Sequence, residues 1–373
     1  MSMVQTGWRS WRREWPLLIL FVIFVVGEIF KGTIGAGKAG SAGEIIAFFA
    51  FFGGALTGAF AVVRHAEELA HRFGEPYGTL ILTISAISIE VVVIATIMLN
   101  GANNPKIARD TMYSVVMIVL AGVVGISLLL GGFRHREQGY NLQGASTFLS
   151  VLIPLSVLSL VWPDFTHSTV QGELSSGKSW FIMLASVALY IVFLAVQTVR
   201  HRNYFVTPSE AVSAGEDPVG HTLSGWSFHA VMLVAFLLLV VLLAELFSLP
   251  LNIGLDRLEL PAGLGAFAVA ALILAPESVA AIRAAHANHM QRAVNLSLGT
   301  VLATISLTAP AVLAINLFTH HAVVLGLDPA TATLMILTLG VSIITFSSGR
   351  TNLLQGAVHL VLFIAYIVLI FSP

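Results

Sequence analysis

The sequence predicts an all-α polytopic membrane protein of about eleven transmembrane helices, and three observations lead there. Charged residues make up only 10% of the 373 positions, against 57% hydrophobic ones, whereas soluble domains carry about 25% charge. Mean hydropathy is +0.91. Apolar runs of about 20 residues, the length that crosses roughly 30 Å of hydrocarbon, recur along the whole chain between short polar breaks. The runs are long and lack strict alternation, which selects helices over barrel strands.

In order, the spans lie near residues 16 to 30, 44 to 63, 78 to 99, 111 to 132, 145 to 162, 180 to 199, 228 to 249, 262 to 282, 294 to 318, 331 to 347 and 354 to 371. Charged loops mark their ends. Arg9, Arg12 and Arg13 precede the first, Arg64 and Arg72 follow the second, and Arg134 with Arg136 follow the fourth. Arg200 and Arg202, then Arg283 and Arg292, then Arg350 close the sixth, eighth and tenth. On the alternate side fall Lys31, Lys38, Lys106, Arg109, Lys178 and Arg257, so twelve basic residues face six. The positive-inside rule then sets the N-terminus in the cytoplasm, in a bacterial inner membrane. The basic N-terminal run before an apolar core has the look of a leader, but the Gly- and Ala-rich segment after it has no clear small-x-small cleavage site, so it is read as the first span.

The longest hydrophilic break, "RHRNYFVTPSEAVSAGEDPVGHTLSGWS", divides the chain into 1–40, an N-terminal segment with one extra helix; 41–200, a first five-helix repeat; 201–227, a cytoplasmic linker; and 228–373, a second five-helix repeat. Five is odd, so equivalent spans of the two repeats cross in opposite directions, the arrangement of inverted-repeat transporters. A formal net charge of -1 gives no nucleic-acid partner, and the absence of cysteine removes disulfides and thiolate chemistry. No cofactor is implied. The expected partners are membrane lipid, inorganic cations and protons.

Two acidic residues interrupt the apolar spans. Glu90 lies about halfway along the third, in "LTISAISIEVVVIATIML", and Glu277 lies past the middle of the eighth, in "LILAPESVAAI". The spans are five apart, so an inverted repeat brings both carboxylates towards one point near the midplane. Ionisable groups at that depth face a cavity or a partner. Pro276 lacks a backbone donor and is expected to perturb the helix one turn upstream, freeing carbonyl oxygens. Thr83, Ser85 and Ser88 precede Glu90, and Ser278 follows Glu277. On the next span of each half lie Ser114, then Asn295, Ser297, Thr300 and Thr304. This all-oxygen inventory suits a hard cation such as calcium. For any single hydroxyl, helix packing is the better reading. Two carboxylates hold either one divalent cation or two protons with similar neutralisation, and exchange of the two is antiport. The site excludes H-E-x-x-H zinc chemistry and offers no intramembrane aspartate pair, so no enzyme is expected; a channel pore is the remaining rival, since the same carboxylates would line it.

At these residues the chain resembles the calcium/cation antiporter superfamily, in its calcium-proton exchanger branch and its ChaA-type sodium/calcium-proton antiporters. The similar stretches are "RHAEELAHRFGEPYGTLILTISAISIEV", "RDTMYSVVMIVLAGVVGISLLLGGFRHREQGYN", "LILAPESVAAI", "QRAVNLSLGTVLATISLTAP" and "SSGRTNLLQGAVHLVLFIAY", from the second span to the C-terminus. The resemblance implies exchange of Ca2+, with Na+ or K+ also possible substrates, for H+ by alternating access. It places the two site glutamates on Glu90 and Glu277 and the gating helices on the second and seventh spans. By position, Glu67 and Glu68 are expected to gather cations at the inner mouth, and Glu245 at the outer one. The family commonly has asparagine three residues before each glutamate, where this chain has Ile87 and Leu274, so two amide ligands are missing and sodium or potassium exchange becomes credible. His65, His71, His286 and His289 cluster on the cytoplasmic side and are read as solvated loop residues. "NLQGA" at Asn141 and "LLQGA" at Leu353 look alike, but they open spans of one orientation and do not support the inversion.

Overall fold

The computed structural model describes residues 14–37, 40–73, 77–100, 104–166, 172–206, 225–319 and 322–372. Most of the linker, with Glu210, Glu216 and Asp217, lies outside them, as do Arg9, Arg12, Arg13, Lys38 and Glu75.

Eleven long helices follow in order: α1 Trp15–Gly35, α2 Gly40–Phe73, α3 Tyr77–Asn100, α4 Ile107–His135, α5 Leu142–Phe165, α6 Ser176–Arg200, α7 Trp226–Arg257, α8 Ala262–His286, α9 Met290–Thr319, α10 Pro329–Phe346 and α11 Leu353–Phe371. Ten are long and apolar enough to cross a membrane; α3 contributes a shorter apolar stretch, Thr83–Met98. Among the described residues no strand forms, and Gly139 and Arg350 make an isolated bridge. Each expected span is thus a helix, but α2 and α7 run 34 and 32 residues instead of about 20. Hydropathy stops at the first charges, whereas the i to i−4 ladder does not need lipid and continues through Arg64–Arg72 and Asp256–Arg257.

Local sequence explains several helix starts. Pro16 occupies the first turn of α1, where its missing N–H is harmless. Asn141 caps α5 by accepting from Gln143 N at 3.0 Å, and Asn352 forms a capping box with Gln355 at the start of α11. The likeness of "NLQGA" and "LLQGA" is therefore a shared helix-start signal. Asp328 caps α10. Burial opposes its charge, but the Thr331 N–H and hydroxyl, the Ala330 N–H and Arg109 outweigh that and hold its carboxyl below the usual range.

The chain forms two compact units, 1–97 with 222–265, and 98–221 with 266–373. Each takes helices from both halves of the sequence.

In the first unit α1, α2 and α7 pack together and charges pair at both ends. Arg257 on α7 holds Glu44 on α2 with two guanidinium nitrogens, at 2.5 and 3.1 Å. Lys31 on α1 meets Glu245 on α7 at 2.9 Å. Arg64 meets Glu14 at 2.5 Å.

In the second unit α4 is almost wholly buried and α11 lies against it. A Cβ at Gly356 would stand 2.7 Å from Leu129 N and 3.0 Å from Gly125 O, so these glycines allow backbone to touch backbone. Gly356→Val is expected to destabilise the folded protein in detergent by about 1–3 kcal/mol through overpacking; chemical denaturation followed by circular dichroism checks this.

Four helices contain π-turns: Ile118–Val123 in α4, Val157–Val161 in α5, Val196–Arg200 in α6 and Thr304–Thr308 in α9. Two have a proline cause. Pro163 cannot donate to Ser159, and Pro310 cannot donate to Ser306, each inside the widened turn four residues earlier. By contrast α8 remains helical through Pro276. The expected perturbation upstream is limited there to the amide donor that the Leu272 carbonyl lacks.

Candidate functional site

Leu274, Glu277, Ser278 and Ala281 fall at i, i+3, i+4 and i+7 of α8, one face of a helix. That face opens on a cavity of about 10 Å³, completed by Leu296, Ser297 and Thr300 of α9 and by Val119 and Val123 from the π-turn of α4. The volume corresponds to about one water-sized sphere. A dehydrated ion fits it; a hydrated one does not.

Thr300 Oγ1 donates a hydrogen bond to Glu277 Oε2. Ser297 is buried, and with Ser278 it adds hydroxyl oxygen to the same wall. The polar side chains at this cavity are one carboxylate and three hydroxyls, set in a wall whose exposed surface is mostly that of Val, Leu and Ala. Four such side chains fall short of the six to eight oxygens calcium takes. A neutral hydroxyl also leaves the carboxylate charge uncompensated, so a proton or a cation must supply the balance.

Glu90 belongs to the first unit. It is 3% exposed, on a buried face of α3 with Ile87 and Ile94 at helical spacing. Ser85 is buried and donates to Ile81 O at 2.7 Å, while Ser88 is half-buried.

The other expected site residues are placed as follows. Ser114 donates to Asp110 O at 2.6 Å and accepts from Tyr366 OH at 2.7 Å, and it is not among the residues lining the Glu277 cavity. Asn295 is directed elsewhere too: its Nδ2 donates to Phe205 O at 2.6 Å and its Oδ1 accepts from Gln291 Nε2 at 2.8 Å. Two residues before Ser297, it stands about 200° around the helix from it. The expected amide ligand is instead a tie between α9 and the segment after α6.

Glu67 and Glu68 are exposed on α2. Glu245 is half-buried and engaged by Lys31, a pairing the sequence reading did not include. His71, His286 and His289 are exposed as expected, although His71 and His286 belong to the last turns of α2 and α8 and not to loops, and His65 is neither exposed nor in a loop. It is 1% exposed on α2, with Nδ1 3.0 Å from His229 Nδ1 on α7 and Nε2 3.3 Å from Glu14. Helix α2 extends past the expected end of the second span and carries His65 into packing with α7.

His359 and Tyr366 were also missed. Both lie on the buried face of α11 with Gly356 and Leu362. The available signal was a lone histidine inside the apolar run "LLQGAVHLVLFIAYIVLIF".

An all-helical membrane protein with a carboxylate and hydroxyls around a one-ion cavity belongs to the class of membrane transporters. The sodium/calcium exchanger protein family matches residues 43–199 and 228–372, and the chain belongs to that family. It is 42% identical to the sodium-potassium/proton antiporter ChaA of Escherichia coli K12 over 378 residues, covering 100% of both chains. It is 22% identical to the Ca(2+)/H(+) antiporter ChaA of Bacillus subtilis over 94% of this chain and 91% of that one. The solved structure of native YfkE, at 19% identity, superposes with a TM-score of 0.71 over 95% of this chain and 100% of its own, which shows a shared fold.

Thr300→Val keeps the side-chain shape and deletes the hydroxyl. It is expected to weaken cation-dependent activity about tenfold, from the loss of one hydrogen bond to a charged group, while Thr300→Ser stays near wild type; transport in proteoliposomes at varied cation concentration checks both.

Proposed function

We propose that this protein exchanges calcium, and sodium or potassium, for protons by alternating access at a site built on Glu90 and Glu277. The single observation that carries the reading is the Glu277 cavity, a space of one-ion size with a largely apolar surface, at which a buried carboxylate meets only the hydroxyl of Thr300 among the described residues. Its four oxygen-bearing side chains make half a calcium shell. The second half is assigned to Glu90 and its neighbouring hydroxyls, in the other repeat. The family match in two stretches, 43–199 and 228–372, supports that division.

Exchange follows from electrostatics. One divalent cation or two protons neutralise two carboxylates, and a site stripped of both leaves two like charges in a medium of low dielectric. The empty site therefore does not cross, and movement of one ion is coupled to return of the other. Helices α2 and α7 serve as the gating pair. Their packing in one unit, with the Glu44–Arg257 and His65–His229 contacts, supports their moving together. With the N-terminus in the cytoplasm of a bacterial inner membrane, protons entering drive cations out. Glu67 and Glu68 gather cations at the inner mouth. Glu245 does so at the outer mouth, in competition with Lys31.

In inverted membrane vesicles with an imposed proton gradient, Glu90→Gln and Glu277→Gln are each expected to abolish cation-induced dissipation of the gradient. Wild-type rates in either variant defeat the reading. A channel would pass cations without consuming the gradient, so the same assay separates the two. Leu274 lines the cavity where the family commonly has asparagine. Leu274→Asn together with Ile87→Asn is expected to shift preference towards calcium over sodium and potassium, measured by comparing the three ions side by side.

A further inference from the structure

Three π-turns interrupt helices of the second unit away from their C-terminal ends or beside a proline, and one of them lacks the proline. In α5 and α9 the widened turn lies four residues before Pro163 and Pro310. Helix α4 contains no proline, yet it widens over Ile118–Val123. A π-turn takes in an extra residue and loosens the ladder, so without a covalent cause it needs a partner for the carbonyl it strands. Here the Val124 N–H turns back to the Val119 carbonyl, five residues away. The Leu120 carbonyl accepts from His359 Nδ1 at 2.7 Å.

The rest of the histidine is equally committed. Nε2 lies 2.9 Å from Thr345 Oγ1, and the ring is 0% exposed. A proton on Nδ1 leaves Nε2 of the neutral ring as an acceptor for the Thr345 hydroxyl, so neutral partners engage both nitrogens. Beside His359 and one turn after it, α11 fits the same part of α4: a Cβ at Gly125 would meet Leu360 N at 3.1 Å, and one at Gly122 would meet Phe363 at 3.2 Å.

The π-turn matters because Val119 and Val123 come from it, and both wall the cavity of Glu277, Ser297 and Thr300. We propose that His359 is a positioning residue for that cavity: its Nδ1–H holds the Leu120 carbonyl and so keeps the π-turn that sets Val119 and Val123 against Glu277. Closure of the turn to a regular helix removes one residue of winding, about 100° of rotation, and swings these two side chains away from the carboxylate. The inference rests on the antiport reading only for what the cavity binds.

Three variants separate the roles of the ring. His359→Leu fills the space and donates nothing. His359→Asn returns an amide N–H where Nδ1 stood. His359→Gln places its amide at the reach of Nε2, so it keeps polarity but loses the Leu120 bond, and it serves in place of Leu if that variant does not fold. Amide hydrogen exchange over residues 118–125, in detergent and without cation, reads the turn itself. Apparent KM for calcium and for sodium, with kcat, reads the cavity.

In the Leu and Gln variants, exchange is expected to quicken and KM to rise, each by about tenfold, as loss of one buried hydrogen bond gives. The kcat value changes little, and Asn restores both readouts. Unchanged exchange overturns the proposal, as does faster exchange with an unaltered KM, or an Asn variant no better than Gln. Wild-type protein that fails to exchange cations for protons defeats the antiport reading instead, and hydrogen exchange still decides the histidine's part.

Discussion

A charge held in hydrocarbon without a counter-charge is the constraint on which the rest of this structure turns. Within the first unit three acidic side chains meet it with cations: Glu44 with Arg257, Glu14 with Arg64, Glu245 with Lys31. Glu277 in the second unit meets it differently. Its partner is the hydroxyl of Thr300, which orients a carboxylate without neutralising it. Pairs of the first kind are closed and fasten helices together, with surface-exposed examples contributing about 0–1 kcal/mol each. An arrangement of the second kind stays open to a proton or a metal ion, which is what the proposed transport role of Glu277 requires.

Backbone irregularity is the second way in which the helices depart from uniform rods. In lipid an unsatisfied carbonyl is costly, so a turn that leaves the α pattern must be answered by neighbouring groups. Proline answers for α5 and α9. A buried imidazole answers for α4, and the cost of burying that ring is met by two hydrogen bonds. The irregular turn then becomes useful, because a widened helix presents side chains at a phase that a regular one does not reach.

Much of this was legible in the sequence. All eleven helices were, because a 20-residue apolar run has one stable backbone in lipid. The meeting of Glu277 with Ser297 and Thr300 at one cavity was also, since an ionisable residue deep in a span turns to a cavity or to polar groups of a neighbouring helix. The long ends of α2 and α7 were not, because hydropathy measures the solvent and a helix outlasts it. Asn295 was assigned by nearness in the chain, whereas its face of α9 is set by 100° per residue and by Phe205, a residue 90 positions away. His65 and His359 escaped for a related reason. A single histidine in an apolar run does not announce its partner, and His229 and the Leu120 carbonyl lie 164 and 239 positions distant. The π-turn of α4 was invisible altogether, since it depends on the group that donates to its stranded carbonyl and on no residue of its own.

Selectivity follows from the same accounting of oxygens. A calcium ion loses its hydration shell only where six to eight protein or water oxygens replace it. The wall around Glu277 gives four oxygen-bearing side chains and sets Leu274 where an amide would have added a fifth. A smaller set of ligands penalises the ion that needs the most of them, so coordination number alone disfavours calcium. In the proposed site charge works in the opposite sense, since the two carboxylates assigned to it gain more from one divalent ion than from one monovalent. With the amide gone, discrimination between calcium and sodium rests on the total charge that the site holds while it is dehydrated. That charge is shared with the protons it exchanges, and so ion preference in such a site varies with pH instead of being fixed by geometry.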